Sequence, residues 1–130
     1  MGAHQLLVDT DVLIAYLNRR AHRSYLERPD QRVYYSAVTK KELLSKPGLR
    51  DAERRAIVTL LSRFRLVRID RRVADQYSRI RRLYPSLARA DALIAASALA
   101  RRMPLLTLNS RHCRSIEGLH LLPTLEQGRR

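Results

Sequence analysis

The stretch Gln5-Leu6-Leu7-Val8-Asp9-Thr10-Asp11-Val12-Leu13-Ile14-Ala15-Tyr16-Leu17 is apolar at both ends and broken in the middle by two acids. Gln5 to Val8 predicts a short buried strand, and Val12 to Leu17 continues as the apolar face of a helix. The unit is strand, turn, helix, with Asp9 and Asp11 at the turn. It recurs downstream. After a turn at Pro29-Asp30, Val33-Tyr34-Tyr35 predicts a second strand and Ser36 to Ser45 a helix stopped by Pro47-Gly48. Ile57, Leu60, Leu61 and Phe64 recur at helical spacing, Leu66 to Ile69 predicts a third strand, and Asp70 is placed to cap the next helix. That helix carries Val73, Tyr77, Ile80 and Tyr84 on one face and ends at Pro85. Ala88 to Ala100 is apolar nearly all round and predicts a central helix, followed by strands at Leu105 to Leu108 and Leu119 to Leu122. Strands alternating with helices predict an α/β fold: three layers, α/β/α, around a mostly parallel sheet of four to five strands. Residues 1–126 are expected to form a single domain and 127–130 a disordered tail.

The chain has 130 residues, room for one substantial core. It shows no apolar run of membrane-spanning length and no secretory leader, which predicts a cytoplasmic protein with no membrane partner. The single cysteine, Cys113, cannot form an internal disulfide and reads as a packing residue. There are 26 basic against 12 acidic residues, a net charge of +14, and only Lys40, Lys41 and Lys46 are lysines. Such an excess points to a polyanionic partner, and arginine's planar fork suits phosphates. Nucleic acid is the simplest candidate.

In an open parallel sheet, ligands bind beyond the carboxyl ends of the strands, near the point where strand order reverses. The polar residues that follow strands are Asp9 and Asp11 after the first, Glu42 on the helix after the second, and Thr107, Asn109, Ser110 and His112 after the fourth, while Asp91 opens the central helix. Each acid has a plain structural explanation. Asp9 could cap its helix, Asp11 and Asp91 could favour helix N-termini, and Glu42 beside Lys40 and Lys41 could belong to a solvated face. Together they border apolar segments, where carboxylates need partners. Acids meeting at one edge repel each other, and a divalent cation offsets that repulsion while taking their hard oxygens as ligands. Clustered acids in a basic chain are the layout of a nuclease: the cation activates a water and stabilises charge on the phosphate, and arginines hold the strand.

Leu7-Val8-Asp9-Thr10-Asp11-Val12-Leu13-Ile14 resembles the opening signature of PIN-domain nucleases. Ser36 to Leu44 looks like the family's second-acid motif, Ala90 to Ala98 like its third, and Leu106 to His112 like its fourth. Their order and spacing resemble those of the short bacterial toxins called VapC. The resemblance implies a magnesium- or manganese-dependent endoribonuclease, the toxin of a type II toxin–antitoxin pair, dimeric and held inactive by a VapB-type antitoxin. It carries Asp9, Glu42 and Asp91 over as the catalytic, metal-binding acids. Asp11 stands where relatives commonly have asparagine or another polar residue, and is expected to bind water or support the site. Thr10 and Thr107 would fix carboxylate rotamers, Asn109 would orient Asp9 or a water, and His112 would contact phosphate or serve structure. The fourth motif departs from the family, since Asn109, Ser110 and His112 stand where many relatives carry an acid.

Arg79, Arg82, Arg89, Arg101 and Arg102 flank the helices nearest the expected cleft and are the candidates for RNA contact, with transfer RNA among the substrates left open. The alternative is a non-catalytic PIN-like RNA-binding or assembly module, which keeps fold and charge without needing the acids. A receiver domain would carry a lysine after a late strand, and this chain has none beyond Lys46. A flap-type DNA nuclease would carry more acids and longer helical elements.

Overall fold

The computed structural model describes residues 4–124, so the tail expected at 127–130 lies outside the described residues. The first unit is β1 (His4–Val8) followed by α1 (Thr10–Arg19) and a short α2 (Arg23–Leu26). β2 (Gln31–Ser36) leads into α3 (Ala37–Leu44) and α4 (Asp51–Ser62), and β3 (Arg65–Val67) into α5 (Arg71–Leu83) and α6 (Arg89–Arg101). β4 (Leu105–Leu106), α7 (Ser110–Cys113) and β5 (Leu121–Leu122) complete the described chain.

The five strands pair in the order β3-β2-β1-β4-β5, and every pairing is parallel. β1 is therefore central and covered on both faces, which is why its sequence is a continuous apolar run rather than an alternating one. Leu6 and Val8 point to one face, into a cluster with Val12, Leu13, Tyr16, Ile57, Leu60 and Leu61 from α1 and α4. Leu7 points to the other, against Val73, Ile80, Ile94 and the alanines of α6. The expected α/β/α layering is what the chain forms. Alanines at 92, 95, 96, 98 and 100 let α6 lie close to its neighbours, and all five are buried. Val73 and Ile80 of the α5 stripe are fully buried, with Tyr77 and Tyr84 packed at the margin.

Helix ends follow local chemistry. Asp70 accepts a hydrogen bond from the Val73 N–H (3.0 Å) and starts α5, as expected. Ser36 is the last residue of β2 and also caps α3, accepting from the Val38 N–H (3.2 Å). Some boundaries differ from expectation. β3 begins at Arg65 and ends at Val67, leaving Ile69 51% exposed. β4 stops at Leu106 rather than Leu108, because Thr107 turns its side chain toward Asp9 instead of extending the ladder. β5 covers only Leu121–Leu122, and the single-turn helices α2 and α7 were not anticipated. Among the described residues no helix is long and apolar enough to cross a membrane.

Candidate active site

The chain travels outward from β1 to β2 to β3, then crosses back over the sheet to place β4 on the other side of β1. Strand order thus reverses between β1 and β4, and the crevice beyond their carboxyl ends is where this architecture places ligands. Asp9 follows β1 there and Thr107 follows β4. The Thr107 hydroxyl donates to Asp9 Oδ2 at 2.6 Å, while Asp9 Oδ1 accepts from the Thr10 N–H at 2.7 Å. Asp9 is both the N-cap of α1 and a buried carboxylate, only 5% exposed.

A second set of contacts spans α1 and α3. Thr10 Oγ1 lies 2.7 Å from Glu42 Oε1 and 2.9 Å from Thr39 Oγ1. An ionised carboxylate only accepts, so the single Thr10 proton goes to Glu42 and Thr39 donates to Thr10. The Asn109 side-chain amide donates to Asp11 Oδ2 at 3.2 Å, and the Asn109 N–H donates to Thr107 Oγ1 at 3.0 Å. Four acids, Asp9, Asp11, Glu42 and Asp91, thereby share one edge and feel one another. Desolvation pushes the Asp9 carboxyl up to about 6; the charges of Asp11 and Asp91 add to this, and the bonds from Thr107 and Thr10 oppose it. Asp91, in the first turn of α6, is also raised, by desolvation first and then by Asp11 and Glu42, with His112 pulling the other way. Beneath them the buried Cys113 thiol is pushed up to about 12 by burial and by the charges of Asp91 and Asp9. It is an inert packing residue.

Among the described residues no three His, Cys, Asp or Glu side chains stand as a ready-made set of direct metal ligands. The donor chemistry still fits a small hard cation. Such an ion takes one or two carboxylates and keeps several waters, and carboxyls raised by desolvation and by one another's charge are stabilised by positive charge between them. Transition metals that favour thiolate find no donor here, since the Cys113 thiol holds its proton.

Residues 6–116 match the PIN domain. The chain belongs to the PIN-domain family. Ribonuclease VapC10 of Mycobacterium tuberculosis is 40% identical to it over 121 residues, covering 88% of this chain and 90% of that protein. A toxin–antitoxin complex from Klebsiella pneumoniae contains a chain 29% identical, with a TM-score of 0.71 over 88% of this chain and 94% of its own. VapBC2 of Rickettsia felis, bound to a promoter DNA fragment, shares the fold at 19% identity, with a TM-score of 0.79 over 91% of this chain and 97% of that one.

In this PIN domain the sequence reasoning missed Thr39, fully buried and bonded to Thr10. The signal was present: Thr39 and Glu42 are three residues apart and therefore share a helix face. The arginines divide. The Arg72 guanidinium donates to the Ala100 carbonyl (2.7 Å), so the start of α5 lies beside the end of α6 and the two helices run antiparallel. Arg82 and Arg89, on either side of the short link between these helices, accordingly lie at the Asp91 end. Arg101 and Arg102 lie at the opposite end, about 15 Å along α6 from Asp91 by helix rise. They do not flank the carboxylate edge as expected. Arg79 sits between and meets Glu117 at 3.4 Å.

The Thr107 hydroxyl gives this PIN domain a direct test of how its central acid is held. Thr107→Val keeps the buried volume and deletes the bond to Asp9. Divalent-cation affinity is expected to fall roughly 10- to 100-fold, the usual range for removing a group that orients a ligand. Calorimetric titration would check it, and an unchanged affinity would remove Thr107 from the site.

Proposed function

We propose that this chain is a metal-dependent endoribonuclease that hydrolyses RNA phosphodiester bonds as the toxin of a type II toxin–antitoxin pair. The observation that carries the reading is four mutually repelling carboxylates at the strand-order reversal of a chain with net charge +14. The 40% identity to a protein named a ribonuclease supports the same chemistry. Residues 1–126 act as one nuclease domain, in the cytoplasm, where RNA is at hand. A VapB-type antitoxin partner and a homodimer follow from the same reading. An apolar groove of ≈ 390 Å³ bordered by Ile14, Leu17, Leu43, Leu49 and Ile57 is also lined by Glu42, so a partner segment seated there would lie beside one of the acids.

Asp9, Glu42 and Asp91 would hold Mg2+ or Mn2+ between them, partly through the cation's own waters, with Asp11 supporting them. The bound cation supplies Lewis-acid stabilisation of charge on the phosphate and lowers the pKa of a water. Thr107 and the Thr10 N–H hold Asp9 from two sides, so both its oxygens are fixed before substrate arrives. Thr39 and Thr10 pass one hydrogen bond along to Glu42 and fix its reach. Asn109 restrains Asp11, and His112, near Asp91, supplies a positive or hydrogen-bonding group for a phosphate oxygen. Arg82 and Arg89 hold the strand beside the cut.

Purified protein incubated with total RNA is expected to leave 5′-phosphate and 3′-hydroxyl ends with manganese or magnesium, and to stop cutting in chelator. Cutting that survives chelation overturns the metal-dependent reading. No cutting under any condition favours the non-catalytic RNA-binding module.

A further inference from the structure

The carboxylate edge occupies one end of the sheet, and away from it four arginines line one cavity. Where β2 and β3 begin, Arg28, Arg32, Arg63 and Arg65 line a cavity of ≈ 290 Å³ together with Phe64 and Glu27. Glu27 is already taken: its carboxylate accepts from Arg20 at 2.6 Å and from the Tyr16 hydroxyl. Arg28 is paired with Asp30 at 2.7 Å. Arg32 and Arg65 have no such partner in the described hydrogen bonds or ion pairs. They also share a face of the sheet, because Arg65 is in register with Tyr34 and Arg32 precedes Tyr34 by two residues. Like charges so placed on neighbouring strands repel. Arg63 holds its guanidinium over the Phe64 ring, 5.9 Å from the centroid.

A charge on edge strand β3 would discourage pairing with other chains, and Arg63 would complement the carboxyl end of α4. With Arg28 held by Asp30, those roles account for three of the four arginines singly and leave unexplained why Arg32 stands unpaired beside Arg65. A phosphodiester answers all of it: guanidinia bind its oxygens in a fork, and the repulsion between Arg32 and Arg65 turns into attraction for the anion between them. Asp9 follows Val8, which pairs with Tyr35, so Arg32 lies about 13 Å along the strands from the carboxylate edge, and Arg65, level with Tyr34, lies about 7 Å along them and two strands out from β1.

We propose that the Arg28–Arg32–Arg63–Arg65 corner is a second RNA-backbone site, gripping the substrate strand remote from the cut. The proposal rests on the ribonuclease reading for its choice of polyanion. Arg32 and Arg65 supply the phosphate contacts, Arg63 presents a flat cation on which a base can stack, and Arg28 adds charge at the rim.

The test is fluorescence anisotropy of a labelled RNA of ~20 nucleotides against salt, in chelator so that nothing is cut; each single-strand phosphate contact contributes about −0.7 to the slope of log affinity on log salt. Arg32→Gln/Arg65→Gln protein is expected to lose about 1.4 from the magnitude of that slope. Arg32→Lys/Arg65→Lys keeps the wild-type slope, which separates charge from any effect on folding. Arg54→Gln/Arg55→Gln, on the exposed side of α4, removes the same charge elsewhere and leaves the slope close to wild type. An unchanged slope in the first variant, or an equal loss in the α4 control, overturns the proposal. Wild type that binds RNA but fails to cut once cation is restored sinks the ribonuclease reading and leaves this site standing. Wild type that cuts while the slope is insensitive to Arg32 and Arg65 sinks this site alone.

Discussion

Asp91→Asn protein should cut RNA on the order of 100- to 1000-fold more slowly than wild type, the loss that follows removal of one preorganised group from a reaction centre. Its melting should change little. Asparagine matches the carboxylate in shape, so the first turn of α6 keeps its packing. The lost attraction to the helix N-terminus is worth about 0.3–1 kcal/mol. Against this, substitution relieves the repulsion from Asp11 and Glu42 and the desolvation that raise Asp91 in the folded chain. The two effects oppose each other, so a fall in rate cannot be ascribed to unfolding. Rates on a defined RNA at saturating manganese, alongside thermal melts of both proteins, give the comparison. Equal rates would leave the acids with structural roles and the chain with an RNA-binding one.

The second large effect is on stability. Asp9 titrates near 3.8 in an unfolded chain and at about 6 in the folded one. Between those values the folded chain holds a proton that the unfolded chain has released, so stability falls as pH rises. The contribution is fully present below 3.8 and lost as pH passes through about 6. At ~1.4 kcal/mol per pKa unit the change is roughly 3 kcal/mol. Asparagine at position 9 does not titrate. In chelator, the difference in unfolding free energy between wild type and Asp9→Asn should therefore shift by roughly 3 kcal/mol in favour of the variant from about pH 4 to pH 7. Urea melts across that range measure it. A difference that stays constant would mean that Asp9 is not stressed by its surroundings. Added divalent cation at neutral pH should restore part of the wild-type loss, because it stabilises the ionised form.

The layers and the acids were legible because their causes are local. An apolar run ending in an acid, a stripe at 3.6-residue spacing and an alanine-rich segment between breakers each announce an element without knowledge of its neighbours. Asp9 stands where a strand ends and a helix begins, and Asp91 in the first turn of a helix, positions visible in the sequence. The Thr39–Thr10–Glu42 chain was not visible as a whole, since Thr10 meets residues 29 and 32 positions away only once β1 and β2 are paired. Arg101 and Arg102 were misplaced for a related reason: the sequence locates them on α6 but does not say which end of that helix meets the acids. Strand lengths were overestimated at β4 and β5, where an apolar run continues after backbone pairing has stopped. At β4 the cause is specific, because Thr107 is used by Asp9.

The placement of β4 has a consequence for when the crevice is completed during synthesis. Asp9 leaves the ribosome before the hydroxyl that holds it, which comes 98 positions later. A nascent chain that ends before Pro104 lacks β4, the partner of β1 on that side, and so lacks one wall of the crevice. Synthesis itself then acts as a safety catch: everything before Pro104 can be made, and a truncated product released, without a complete carboxylate edge appearing. The crevice gains its second wall only when Leu105 to Thr107 have been added and β4 can pair with β1.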